Sequence, residues 1–375
     1  MRDPRLDQLA KVLVHYSTRT KKDDICRIGG ELPGMPLMEA IFEQCLLAGA
    51  HPFFQLASDT AVDAFYRLAS DDQLKYVSPI NQFIVDKIDV YFGIWADENT
   101  KSASNVPPEK MALTQQARKP FLKRLMERAA TKELRWTGTQ YPTAGSAQDA
   151  EMSLYEYEDF VFKAGLLHLP DPVAAWKAIS EKQQRLADYL NTKKEIRVIG
   201  EGTDLRVGID GRHWINCDGH ENFPDGEVFT GPIETATEGT IRYSFPAVYN
   251  GRECHDITLV FKAGKVVDAR ATKGEDYLLK MIDQDKGART LGEFAIGTNF
   301  GIQQYTKNTL FDEKIGGTCH AALGAAYPES GGKNESGLHW DMVCDLRKPN
   351  CRLEADGETI LKEGRFTNPT WPNPS

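Results

Sequence analysis

No stretch of this 375-residue sequence approaches the roughly 18 uninterrupted apolar residues that a membrane-spanning helix needs, which excludes such a span. No block of five or more like charges marks a polyanion-binding arm, so nucleic acid is not an expected partner. The opening Met1-Arg2-Asp3-Pro4 leads into an amphipathic stretch rather than the apolar core of a secretion signal, and a cytoplasmic location is expected. Paired cysteines are missing as well. The seven thiols stand singly at positions 26, 45, 217, 254, 319, 344 and 351, with neither zinc-type pair spacing nor a dense disulfide framework, and are expected to be reduced and mostly buried. Fixed-period repeats and low-complexity tracts are absent too.

What is present suits a globular chain of about two domains. Hydrophobic residues make up 41% of the sequence, and the net charge of -9 is spread over interspersed acids and bases. Up to residue 194, helical periodicity alternates with short apolar runs. Leu6 to Tyr16, Leu37 to Ala48 and Pro107 to Ala130 read as helices, the last begun by proline; Ile25 to Ile28, Phe53 to Leu56 and Ile84 to Trp95 read as extended. From Glu195 the period shifts towards two, as in Ile196-Arg197-Val198-Ile199 and Ile257-Thr258-Leu259-Val260-Phe261, with glycine-rich turns such as Ala263-Gly264-Lys265. The expected fold is an α/β N-terminal domain over 1–194 followed by a β-rich α+β catalytic domain over 195–375.

Candidate chemistry falls in the second half. His339-Trp340-Asp341 on a strand would place an imidazole and a carboxylate on one face, able to converge on a single cation. His320 lies in the glycine-framed Gly316-Gly317-Thr318-Cys319-His320, and Cys319 beside it carries no separate signal of nucleophilic catalysis. Glu227 and Glu293 each sit in an otherwise apolar, glycine-marked segment where an unpaired carboxylate is costly. Asp312-Glu313 precedes His320, with an ordinary exposed turn as its plainer reading. Taken singly, each is as readily a surface or ion-paired residue. Together, carboxylates and imidazoles in this number suit two divalent ions sharing a bridging carboxylate or water. His213, His220 and His255 lack such surroundings, and His15, His51 and His168 lie in the other half.

The same segments carry a resemblance. Asn222-Phe223-Pro224-Asp225-Gly226-Glu227, Leu291-Gly292-Glu293-Phe294, Phe311-Asp312-Glu313-Lys314, the run from Gly317 through Tyr327, and His339-Trp340-Asp341 together resemble the thermophilic-aminopeptidase family of metallopeptidases, the group of aminopeptidases T, S and II. Ala48-Gly49-Ala50-His51-Pro52 is similar to that family's N-terminal domain. The resemblance implies that Glu227, Glu293, Glu313, His320, His339 and Asp341 hold two divalent ions (zinc, cobalt, manganese or magnesium) and that Tyr327 projects into the site. It further implies peptide substrates with a free N-terminus and a homodimer around an internal cavity. Between Asp312 and His320 the connection is longer than in some relatives, which bears on Glu313. Peptide hydrolysis at such a site needs a carboxylate, Glu293 or Glu227, to move a proton from water to the leaving amine, and a donor such as Tyr327 for the oxyanion. A packing role for Tyr327 stands beside that one. Two other readings remain open: a peptide-binding relative with little turnover, and a different two-metal hydrolase acting on amides or phosphoesters, although no phosphate clamp accompanies the motifs.

Overall fold

A computed structural model describes residues 2–374. By internal contacts the chain forms two compact units, 1–173 with 219–224, and 174–218 with 225–375.

The first unit is built on a parallel sheet. Its strands β1 (Ile25–Glu31), β2 (His51–Ala57), β3 (Val90–Trp95) and β4 (Arg135–Gln140) lie in the order β2-β1-β3-β4, and Asn222–Phe223 adds a short parallel edge beside β4. Parallel neighbours need crossovers, supplied here by Met35–Leu47, by Asp59–Leu68 with Pro79–Lys87, and by Pro108–Ala130. The N-terminal helix Pro4–Val12 starts where sequence rules place it: Asp3 accepts from the Arg5 N–H at 2.8 Å, and Pro4 fills the first turn, where no amide donor is required. One expectation fails. Residues 84–87, assigned to an extended run, close the helix Pro79–Lys87, and extended backbone begins only at Val90. Asn81-Gln82-Phe83-Ile84-Val85 keeps a helical phase behind Pro79, with Val85 buried, and a short apolar run does not distinguish helix from strand.

The second unit is a two-sheet sandwich. An antiparallel eight-stranded sheet runs from Lys265–Arg270 through Ile257–Lys262, Thr237–Tyr243, Thr203–Gly208, Glu195–Gly200, Arg352–Ala355 and Glu358–Lys362 to Arg365–Phe366. The second sheet orders β9 (His339–Asp345), β8 (Thr318–Gly324), β7 (Leu291–Gly297), β6 (Glu227–Thr230) and β5 (Ile215–Cys217), each antiparallel to its neighbour. One apolar cluster joins them, with Ile196, Val198, Leu205, Ile241 and Leu259 from the first sheet and Val228, Phe294, Ile296, Ala321, Leu323, Trp340 and Met342 from the second.

The units do not divide at the change of period near residue 195. Leu186, Ala187 and Leu190, on the helix Pro172–Leu190, belong to the sandwich cluster, so that helix joins the second unit; strand pairing of Asn222 and Phe223 with Gly138 and Thr139 returns 219–224 to the first. Neither event leaves a mark on periodicity.

Candidate metal centre

Strand alternation builds the site. In β6 through β9 one set of side chains enters the sandwich core; the opposite set comprises Glu227, Glu293, His320, His339 and Asp341. Cross-strand register puts them on one face: Glu227 is opposite Gly297, Ala295 opposite His320, Ala322 opposite Asp341, and Gly324 opposite His339. Small partners at these positions leave room above the sheet. Two glycines are required by contact. A Cβ on Gly292, at a bulge that turns Glu293, would lie 2.1 Å from the Ala325 carbonyl oxygen. Gly226, just before Glu227, has φ +126° and would meet the Asn299 Cβ at 2.5 Å.

The resulting geometry centres on Glu293. Its Oε1 lies 3.4 Å from His320 Nε2 and its Oε2 3.3 Å from His339 Nε2. Glu227 Oε2 approaches His320 Nε2 at 3.5 Å, and Asp341 Oδ1 approaches His339 Nε2 at 3.6 Å. Two ligand groups follow, Glu227/Glu293/His320 and Glu293/His339/Asp341, each with its donor atoms within 4.8 Å of one another. Both imidazoles are oriented from behind. His320 Nδ1 faces the Glu313 carbonyl oxygen at 3.2 Å and His339 Nδ1 the Ala325 carbonyl oxygen at 2.8 Å. A carbonyl only accepts, so each Nδ1 carries its proton and Nε2 is the atom left to bind.

The set fits divalent ions. Glu227 Oε2 and Asp341 Oδ1 are buried with no hydrogen-bond partner, an expensive arrangement for carboxylate oxygens that a cation between the groups would relieve. Glu313 belongs to neither group, although its charge acts on Asp341, His320 and Glu227. Its Oε2 accepts from Lys314 Nζ at 2.5 Å, and the same ammonium donates to Glu227 Oε1 at 2.9 Å. Lys314 is buried to 2% exposure and held charged: burial opposes its charge, but Glu227, Glu313 and Asp225 outweigh that and push its pKa well above the ordinary lysine value. A third group, Cys217/Asp225/Glu227, adjoins the same ammonium. The loop bearing Glu313 is fixed by Asp312, whose Oδ1 accepts from the Thr306 N–H at 2.7 Å and hydroxyl at 2.9 Å, with burial raising its carboxyl to about 8. Sequence reasoning missed Lys314 as a partner of Glu227, and also Gln183, whose amide donates to the Glu227 and Cys217 carbonyls at 3.0 and 2.9 Å. The one signal for Lys314 was a charge set between Phe311 and the apolar, glycine-marked Ile315-Gly316-Gly317.

Tyr327 lies beside the second group. Its ring packs edge-on to His339, centroids 5.1 Å apart, and to Phe229 at 5.4 Å, yet 41% of the residue remains exposed. Burial of the phenol, then the charges on Glu293 and Asp341, push its pKa up, so it stays a proton donor.

Charge balance in the metal-free site predicts a pH effect. Burial pushes Glu293 up, but its bonds to both histidines prevail and leave it at about 2, while the imidazoles, despite their burial, rise to about 9 for His320 and about 10 for His339. Burial pushes Glu227 and Asp341 up. Near neutral pH both imidazoles therefore hold a proton that a metal must displace, and metal affinity should climb as pH rises towards 9 and 10. Calorimetric titration in buffers of different ionisation heat should count at least about two protons released per fully loaded chain, the imidazole pair, with any further ones from Glu227 and Asp341; a count near zero would contradict this charge assignment. Raised imidazole pKa values also mean that, without metal, their contribution to stability is complete below 6.5 and is lost as pH passes through 9 to 10.

Comparisons with known proteins cover nearly the whole chain. A family model described as thermophilic metalloprotease (M29) matches residues 2–366. Aminopeptidase 2 of Geobacillus stearothermophilus is 26% identical, over 97% of this chain and 98% of its own length. Aminopeptidase T of Thermus thermophilus is 32% identical, over 71% of this chain and 74% of its own. Among solved structures, wild-type AmpT from Thermus thermophilus superposes with a TM-score of 0.85 at 24% identity, covering 97% of this chain and 99% of that one. A 2,5-dihydroxypyridine dioxygenase from Pseudomonas putida KT2440 shares the fold at a TM-score of 0.61 and 13% identity, covering 97% of each chain. One architecture thus carries different chemistries, and the side chains on the sheet face must decide between them. Two histidines and three carboxylates gathered there, with a family model spanning nearly the whole sequence, establish that the chain belongs to the thermophilic metalloprotease (M29) family.

Proposed function

We propose that this protein removes N-terminal residues from peptides at a two-metal site formed by Glu227, Glu293, His320, His339 and Asp341. The observation that carries the reading is the position of Glu293, shared by both ligand groups with one oxygen turned to each histidine. When bound, a pair of divalent ions supplies an acidified water and polarisation of the scissile carbonyl. The chain's residues do the rest. Glu227 and Glu293 are the carboxylates placed to move a proton from the attacking water to the leaving amine, and the Tyr327 hydroxyl is the donor placed to stabilise the oxyanion. Lys314 opposes the push of burial on Glu227 by donating to its Oε1, and Oε2 faces His320. All these residues lie after residue 195, which supports assigning catalysis to the C-terminal half; zinc, cobalt, manganese and magnesium are the ions to try. Seven unpaired cysteines, six of them buried, support a reducing, cytoplasmic setting. Exposed apolar residues such as Leu47, Leu68, Ile80 and Phe83 support self-association as a homodimer, to be checked by light scattering.

An exopeptidase should distinguish free from blocked substrates. Acetylation removes the basic amine and leaves the groups that receive it unpaired, a loss of about 1–3 kcal/mol. Blocked peptides should then show kcat/KM lower by at least about tenfold, since each 1.4 kcal/mol is a factor of ten. Equal values for matched free and acetylated peptides would reject the aminopeptidase reading while leaving a metal-dependent amidase in place. Metal analysis at saturation should give two ions per chain; a single ion would reject the shared-carboxylate arrangement.

A further inference from the structure

The first unit contains a cavity of about 650 Å³ that has no part in the metal centre, since every residue lining it lies between Arg27 and Leu122. It opens at the carboxyl ends of β1, β2 and β3. In the order β2-β1-β3-β4 the chain leaves β1 in one direction and returns on its other side, so the sheet reverses its winding between β1 and β3. Open α/β sheets bind ligands at such a reversal, outside the carboxyl ends of the strands. Gly29, Gly30 and Gly93 line the cavity there, Gly29 and Gly93 making room for the Tyr91 ring.

A largely buried cation with no ion-pair partner among the described residues stands inside. The Arg27 guanidinium lies over the Tyr91 ring, 4.4 Å from its centroid, and its Nε is buried with no hydrogen-bond partner. Glu31, the one carboxylate lining the cavity, is four residues farther along β1, about 13 Å at the usual strand rise. Its Oε2 accepts from the Ala96 N–H at 2.8 Å. Arg118, on the helix Pro108–Ala130, is the other cation in the lining, and Tyr76 and Tyr91 complete its titratable groups. Burial pushes the Arg27 pKa down, as it does for a cation that no anion holds. Gln55 sits opposite Gly29, hence on the same sheet face as Arg27, and its Oε1 is buried without a donor. An unmet donor and an unmet acceptor thus lie on neighbouring strands, beside an apolar wall that includes Leu56, Phe65 and Phe121. Buried polar groups left unmet are costly, and a ligand that meets both removes that cost.

We infer that this cavity binds an α-carboxylate that carries an N–H on its α-carbon and an apolar side chain, the carboxylate on Arg27 and the N–H on Gln55. Two sources present that chemistry, a free apolar amino acid and the C-terminal residue of a short peptide. The inference rests on Arg27 and Gln55 alone, and it stands whether or not the metal centre is an aminopeptidase.

Calorimetry on the full-length, metal-loaded protein separates the possibilities with three probes. L-leucine keeps carboxylate and ammonium, N-acetyl-L-leucine keeps carboxylate and an amide N–H, and N-acetyl-L-leucinamide keeps the amide N–H but lacks both the carboxylate and the free amine that the metal centre would take. N-acetyl-L-leucine should bind saturably and N-acetyl-L-leucinamide at least about tenfold more weakly. L-leucine binding more tightly than the acetylated form points to the free amino acid, and the reverse order to a peptide terminus. Arg27→Gln should weaken N-acetyl-L-leucine at least about tenfold, with melting temperature unchanged or raised because an unpaired buried charge is gone. Gln55→Leu leaves the guanidinium in place and should weaken the same probe, so the inference stays testable if the first variant misfolds. Absence of saturable binding by either carboxylate probe, equal affinity for N-acetyl-L-leucinamide, or full affinity in both variants would overturn it.

Discussion

Replacing Glu293 by Gln is expected to abolish metal binding at both positions at once. The two ligand groups have only this side chain in common, so no other single substitution removes a donor from each. Charge stabilisation by metal is worth several kcal/mol to a hydrolytic transition state, and kcat/KM should fall by roughly 10³-fold or more. Changes at Glu227 or Asp341 remove a donor from one group only and should leave one ion per chain. A readout independent of turnover exists. In metal-free protein, His320 and His339 stand at about 9 and 10 despite burial because Glu293, Glu227 and Asp341 face them. Removing the Glu293 charge should lower both values towards the ordinary 6.5, which imidazole NMR titration would follow. Two ions retained by the Glu293→Gln variant, or imidazole values left in place, would show that this carboxylate is not the bridge.

Lys314→Met should cost more stability than any surface change. The ammonium is 2% exposed and donates to Glu227 at 2.9 Å and Glu313 at 2.5 Å. Methionine fills a similar volume but leaves two carboxylates facing each other without a cation. Breaking a buried ion pair from one side typically costs about 3–5 kcal/mol. The loss should be largest in chelated protein and smaller with metal bound, because an ion at Glu227 replaces part of the missing charge. The double change Lys314→Met with Glu313→Gln should recover part of the loss by removing one of the stranded charges. Denaturant unfolding of the metal-free variants measures each value; a single-variant loss below about 1 kcal/mol, the range of an exposed pair, would show that the lysine does not organise the site.

How such residues come together bears on what was legible beforehand. The apolar, glycine-marked settings of Glu293 and His320 already singled them out, and His339-x-Asp341 on a strand required a shared face. The start of the long helix followed from proline chemistry to within one residue, Pro107 expected and Pro108 found, because that chemistry acts within one turn. Local rules reached that far because each concerns neighbours in the chain.

Three features lay beyond them. Residues 84–87 share an apolar run with β3, and only packing of Val85 made them helical. Strand pairing, not composition, carried 219–224 back to the first unit. Glu313 precedes His320 by seven positions, and only the fold shows that a buried lysine one residue later donates to its carboxylate while its charge still acts on Asp341 and His320. By itself the sequence determined which residue types could bind metal and which strands would carry them, because side-chain chemistry and the two-residue strand period are local. Tertiary structure alone decided that Glu293 lies between the two histidines, that Lys314 neutralises Glu227, and that Arg27 is left without an anion, because all three depend on strand register and burial among residues far apart in the chain.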